Sequence, residues 1–350
     1  MSDRPDPSKA AELARQYVDR RFTLADNTHP AVSAMKDLSE SAAVRAIQAG
    51  KKLPHPPANQ RGTGRLPEPA TPLDPIELLR REIQLPSLPQ VFEELNEALA
   101  DEEASAGRIA EIISRDTSLS AQLLRLVNSA FYSFPSQIDT ISRAVAIVGR
   151  RQLGALALGA SVMSMFPDVP GEYMDMSSFW KHSVAVGVLA RGLAEQARYE
   201  EPERMFVAGL LHDVGRLAMV RSMPDKAVLI IETARNNGYL LFEAERSILG
   251  FDHARLGGIM LRKWNLPYSL VAAVLNHHSP ESAKTIREPA IIHTADALAC
   301  ALLLSPNGEP LVPPLNEAAW AALGISPDQM YDGVKKNLPA IEDTWRALQS

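Results

Sequence analysis

From Pro75 onward the apolar residues recur at i, i+3 and i+4, and they alternate with polar residues almost nowhere. IELLRREI (76–83), VFEELNEALA (91–100), AGRIAEIISR (106–115) and LSAQLLRLVNSAFY (119–132) all follow this spacing. It puts the apolar side chains on one face of a 3.6-residue turn and excludes a half-buried sheet. The punctuation agrees. Asp116-Thr117-Ser118 reads as a break with a cap before Leu119, Asp101 and Ser105 as N-cap residues before Ile109–Ile113, and Gly149 as a terminator. Pro167, Pro170 and Gly171 close the first block. A second block, Ser178 to about Leu304, contains FWKHSVAVGVLARGLAEQ, PERMFVAGLLHDVGRLAMV, HARLGGIMLRKW, YSLVAAVLNHH and PAIIHTADALACALLL. A loop follows from Pro306 to Pro314, then helical candidates at 316–322, 327–338 and 340–348. The expected fold is all-α and two-lobed: a helical lobe over 76–170, a second over 171–304 and a helical extension over 305–350.

Residues 1–75 read differently. Seven prolines fall between Pro54 and Pro75, and each fixes φ and removes a donor, so this stretch is neither helix nor central strand. Between Ser41 and Pro67 stand Arg45, Lys51, Lys52, Arg61 and Arg65 with no acid. The expectation is a flexible arm with a short helix around Lys9–Phe22. It is either a solvated linker or a basic arm that docks on an acidic partner or on the acidic remainder of the chain.

Composition excludes several classes. The 36 basic and 42 acidic residues give a net charge of −6, which argues against nucleic acid or an anionic membrane as the main partner. AGRIAEIISRDTSLSAQLLRLVNSAFY resembles a helix-turn-helix on paper, but its second helix carries only Arg125 and its turn carries Asp116. Cys300 is the single cysteine, so there is no internal disulfide or Cys-based zinc cluster. In ALACALLL it reads as a small buried hydrophobe. No run approaches the ~18–20 apolar residues of a membrane span. The charged N-terminus has no apolar signal core, and a reducing cytoplasm is the expected compartment. Gly154 and Gly159 read as close-packing positions between helices.

The chemistry lies in the second block. Of eight histidines, His182, His212, His253, His277, His278 and His293 all follow residue 181. Asp213 follows His212 directly, and Asp296 follows His293 by three. Imidazole and carboxylate are the ligands of divalent first-row metals, and a helical bundle can converge them on its interior. AGLLHDVGRLAM sets His212 and Asp213 in an apolar run, where an ionised carboxylate needs a metal, a cation or a hydrogen-bonded histidine beside it. Such a network also has a bland reading, in which the histidines and Asp213 bond one another and hold helices together.

The ordered pattern H…HD…H…HH…D resembles the HD superfamily of metal-dependent phosphohydrolases. LPSLPQVFEEL (85–95), IISRDTSLSAQLLRLVNSAFY (112–132), ISRAVAIVGRRQLGALAL (141–158), FDHARLGGIMLRKWNLP (251–267) and LNHHSP (275–280) narrow this to HDOD domains, HD-related output domains of bacterial signalling proteins. The resemblance implies an HD-like second lobe. It implies that His182, His212, Asp213 and Asp296 hold one divalent ion, and that Asp213, His253, His277 and His278 hold another, iron, manganese or similar. It also implies a regulatory protein working through signalling partners. The complete ligand set keeps a second reading open: a phosphohydrolase acting on a phosphorylated small molecule such as a nucleotide or cyclic dinucleotide, with Asp213 and Arg216 as candidate catalytic residues. Against the related HD-GYP phosphodiesterases, Arg216 stands where those have lysine, and SPESAKTIRE after His278 has no GYP motif. Those departures speak against cyclic di-GMP hydrolysis and leave metal binding open.

Overall fold

The computed structural model describes residues 6–53, 66, 71–81, 88–132, 134–166, 174–306 and 309–349. Among them there is no strand, and the all-α expectation holds. The Pro-rich segment lies largely outside the described residues, as do the first three positions of LPSLP and the Pro167–Gly171 punctuation.

The first lobe is α4 (Gln90–Ala100), α5 (Ala106–Ser114), α6 (Thr117–Val127), α7 (Ile141–Val148) and α8 (Arg150–Ser164), preceded by α1 (Pro7–Arg21), α2 (Pro30–Gln48) and α3 (Pro75–Arg81). Ser105 Oγ accepts from Arg108 N, and Asp116 Oδ1 accepts from Leu119 N, which caps α5 and α6 as the sequence predicts. Asp101 instead closes the C-terminal end of α4, its side chain accepting from Glu103 N. Gly149, at φ +100°, ends α7 and opens α8. A Cβ on Gly154 would stand 2.6 Å from a Leu99 methyl, so α8 and α4 meet where the sequence placed a packing glycine.

The second lobe is α9 (Met176–Gln196), α10 (Pro202–Leu211), α11 (Val214–Ser222), α12 (Pro224–Asn237), α13 (Leu241–Leu249), α14 (His253–Lys263), α15 (Tyr268–Leu275) and α16 (Arg287–Ala301). Two backbone-to-backbone contacts set its geometry. A Cβ on Gly209 would lie 2.7 Å from Gly187 Cα, so α10 lies directly on α9. A Cβ on Gly215 would lie 2.1 Å from the His253 carbonyl oxygen, so the start of α11 touches the start of α14. The two lobes are not separate bodies. α10 packs on α8, and one continuous apolar core runs through both.

The C-terminal region is α17 (Glu317–Leu323) and α18 (Pro327–Gln349). The sequence suggested two helices broken at Pro339, whereas α18 is continuous with Pro339 inside it. Pro in a helix interior costs about 3 kcal/mol. Met330, Val334, Ile341, Trp345 and Leu348 are buried on one face, and α18 packs on α9, α6 and α2. At about 1.5–3 kcal/mol per buried large side chain, that face outweighs the lost bond.

The short helix expected around Lys9–Phe22 is α1, but the flexible arm needs correction: residues 7–48 form α1 and α2 packed on each other. α2 in turn packs on α16 and α18. Arg21 is 1% exposed. Its Nη2 donates to Cys300 O at 2.7 Å and its Nε to Pro310 O at 2.8 Å, while Val312 N donates back to Arg21 O at 3.0 Å. A guanidinium at the carbonyl end of α16 meets both its orphan acceptors and its dipole. The apolar face of α1 is Ala10, Ala14 and Val18, residues too small to mark a buried helix by hydropathy.

Candidate metal centre

Every ligand-type side chain reaches the centre from a helix or a helix end. His182 projects from α9 and Asp296 from α16. His212 and Asp213 form the turn between α10 and α11, His253 opens α14, and His277 and His278 follow α15. His278 is half-buried and the other six are buried.

Asp213 is the hub. Its Oδ1 lies 2.9 Å from His253 Nε2, 3.4 Å from His212 Nε2 and 4.0 Å from His277 Nε2. Asp296 Oδ1 lies 3.3 Å from His182 Nε2, and His182 Nε2 lies 3.3 Å from His212 Nε2. His278 Nε2 lies 2.9 Å from His253 Nε2. The structure thus brings together all seven side chains singled out in the sequence.

The outer nitrogens fix the tautomers. His182 Nδ1 donates to Leu304 O at 2.9 Å, His212 Nδ1 to Gly209 O at 2.7 Å, and His277 Nδ1 to Val274 O at 2.7 Å. His253 Nδ1 donates to Glu245 Oε2 at 2.6 Å. Carbonyls and carboxylates only accept, so each of these Nδ1 atoms carries its proton, and whenever a ring is neutral its Nε2 lone pair faces inward. A proton on His182 Nε2 is shared with Asp296 and can be displaced by a cation, and His277 Nε2 is buried with no hydrogen-bond partner. Inward lone pairs, outer N–H groups anchored on carbonyls or a carboxylate, and an orphaned ring nitrogen form a donor set that fits a divalent cation. Within it, His182, His212 and Asp213 form one compact trio and His253, His277 and His278 another.

Electrostatics suits the same reading. Burial pushes the Asp213 carboxyl up, but His212, His253 and Arg216 outweigh it and hold the group well below the usual carboxylate range. Burial is likewise overcome at Asp296, where His182 brings the pKa to about 2. Burial, reinforced by His212 and His253, pushes His277 down to about 3. His278 falls by burial and the neighbouring His277. At His253 burial lowers the pKa, but Glu245 and Asp213 raise it further. The carboxylates are therefore charged, and His277 and His278 are neutral, at neutral pH.

Three supporting groups escaped sequence reasoning. Glu245 on α13 is 2% exposed and aims His253. Glu309 pairs with Arg216, whose Nη1 also donates to Asp213 Oδ2 at 2.9 Å. Leu304 orients His182 through a carbonyl, which no residue type can signal. Cys300 is buried as expected, with its thiol 3.6 Å from Asp296 Oδ1. His293, outside the ligand set, uses both nitrogens elsewhere: Nδ1 donates to His277 O and Nε2 accepts from Asn316 N.

Pro306, Glu309, Leu311 and Pro313 roof the centre and leave a cavity of about 30 Å³. A water-sized species needs roughly 10–15 Å³ by this measure, and small-molecule sites run to roughly 300–1,000 Å³. A chamber of this size has room for ions and water.

Comparison with known proteins places this architecture. The HDOD domain family matches residues 85–280, more than half of the chain, and the chain belongs to that family. A candidate phosphohydrolase from Shewanella amazonensis SB2B is 26% identical, with a TM-score of 0.64 over 77% of this chain and 97% of its own. An HDOD domain protein of unknown function from Geobacter sulfurreducens shares the fold at 21% identity, with a TM-score of 0.62 over 79% of this chain and 96% of its own. An uncharacterized protein of Treponema pallidum (strain Nichols) is 27% identical over 219 residues, which is 61% of this chain and 41% of that relative's length. No helix among the described residues is long and apolar enough to cross a membrane.

Proposed function

We propose that this chain is a cytoplasmic regulatory output protein whose metal centre organises the second lobe for binding to signalling partners, without turning over a phosphoester. His182, His212, Asp213 and Asp296 would hold one divalent ion, iron or manganese, and His253, His277 and His278 would share Asp213 around a second. Such an ion, when bound, supplies a Lewis acid and an activated water.

The observation that carries the non-catalytic half is the state of Arg216. This guanidinium is buried and is held between Asp213 and Glu309. Glu309 thus stands where a substrate phosphate would meet the cation beside the centre. Asp213 Oδ2 is committed to Arg216, which leaves Oδ1 facing the histidines. The small roofed chamber supports the same reading. The phosphohydrolase alternative draws on the full donor set and on the name of the Shewanella relative.

The test is elemental analysis of chelator-free protein, paired with turnover assays on bis(p-nitrophenyl) phosphate, nucleotides and cyclic dinucleotides with Mn²⁺, Fe²⁺ and Mg²⁺. The expected outcome is stoichiometric metal, lost in Asp213→Asn, and no turnover. Robust turnover abolished by Asp213→Asn in a folded protein would establish the hydrolase instead. Metal-free protein that takes up no ion on reconstitution would remove the metal from both readings.

A further inference from the structure

A second cavity lies outside the roofed chamber, on the other side of α14. It measures about 500 Å³ and lies among α14, α15, the C-terminal half of α13 and Ile76 of α3. That volume falls in the range of small-molecule sites, roughly 300–1,000 Å³. Three arginines line it: Arg246, Arg255 and Arg262. Asp252, the acid in the lining, is already committed, pairing with Arg246 and capping α14 through Arg255 N. The Arg246 guanidinium is further fixed by Ser279 Oγ at 3.3 Å and by the Phe242 ring at 5.0 Å. Arg255 and Arg262 are exposed, and among the described residues their side chains make no hydrogen bond or ion pair. Two charged side chains thus line a cavity in which no described residue neutralises them.

Their spacing narrows the ligand. Arg255 and Arg262 are two helical turns apart on α14, about 10 Å along the axis. Side chains of that length can converge on adjacent phosphates or grip two separated ones, and guanidinium groups bind phosphate oxygens in pairs. Alongside the arginines and the polar Asn276 and Ser279, the lining carries an apolar floor that includes Ile259, Val271 and Leu275. Ile76, 41% exposed, stands at the rim. A purely inorganic anion would leave that floor wet, and a purely apolar ligand would leave the arginines unused. We propose that this groove binds a small molecule carrying two phosphate groups and a flat ring system, of the nucleoside diphosphate class. The Arg246–Asp252 pair in its wall adjoins His253 in the chain, so an occupant touches the element that opens with a ligand of the centre. The proposal is independent of whether the centre holds a metal.

The experiment is calorimetric titration of the full chain with ADP, pyrophosphate and adenosine, in chelator and without added metal. ADP is expected to bind saturably and more tightly than either fragment. The double variant Arg255→Gln/Arg262→Gln, changed at two exposed positions and verified as folded by circular dichroism, is expected to bind it roughly tenfold or more weakly. Raised salt weakens the parent's binding. Absence of saturable ADP binding, or equal affinity in the double variant, overturns the proposal. Pyrophosphate binding as tightly as ADP overturns the ring half of it. Binding of hexaglutamate without ADP assigns the groove to acidic peptides instead.

Discussion

His277 is held by its outer nitrogen and left bare at its inner one. Its folded pKa is about 3, against an unfolded value near 6.5. Between those values the unfolded chain binds the proton and the folded chain does not, so stability falls as pH drops below ~6.5. His212, His278 and His293 are shifted the same way by burial and add to the slope. His182 and His253, held up by carboxylates against burial, act oppositely: their contribution is full below ~6.5 and fades as pH rises through their folded values. Below ~6.5 the two raised histidines are protonated in both states and add no slope, so the depressed groups set the sign, net acid destabilisation. The melting temperature of chelated protein should fall between about pH 6.5 and 5, and His277→Gln should flatten that fall. A slope unchanged in the variant contradicts the assignment. Glu309→Gln should loosen the clamp on Arg216, so that inorganic phosphate raises the variant's melting temperature and not the parent's. At this scale the sequence was legible where scarce, polar residue types interrupt apolar runs: His212–Asp213, His277–His278 and Asp296 are of that kind. Glu245 and Glu309 were not legible, because an acid in an amphipathic helix or a loop looks like any solvated acid until folding brings it to His253 or Arg216.

The helices position these residues through contacts that tolerate no side chain. Gly215 is the sharpest case, since an added Cβ would fall 2.1 Å from the His253 carbonyl oxygen. Gly215→Ala should therefore push α11 from α14 and part Asp213 from His253. We expect a loss of about 3 kcal/mol in urea denaturation together with reduced metal content. Full metal content in the variant would show that the two helix ends can separate without disturbing the centre. Elements with large apolar faces, α4 to α10 among them, were readable from periodicity. α1 was legible as a short helix but not as a packed one, because Ala10 and Ala14 contribute little hydropathy to its contact face, and α2 fell within the expected flexible arm. α18 was read as two pieces because proline argues locally for a break, while the packing that overrides it is distant in sequence.

Across the whole molecule the lobes share one core, and α18 ties α9, α6 and α2 together. Arg21 adds a polar tie: its guanidinium holds Cys300 O at the end of α16 and Pro310 O in the roof over the centre. Arg21→Met removes donors from several buried carbonyls, at about 1–3 kcal/mol for each left unsatisfied. The variant should melt lower, and limited proteolysis should cut sooner between residues 305 and 312. Unchanged protection of that stretch would show that the roof stays closed without the first helix. The arrangement amounts to a latch mounted on the earliest helix of the chain and thrown across a chamber built from residues far downstream. A protein that tugged α1 away would strip the guanidinium from the Cys300 and Pro310 carbonyls, where that helix touches the roof over the histidines.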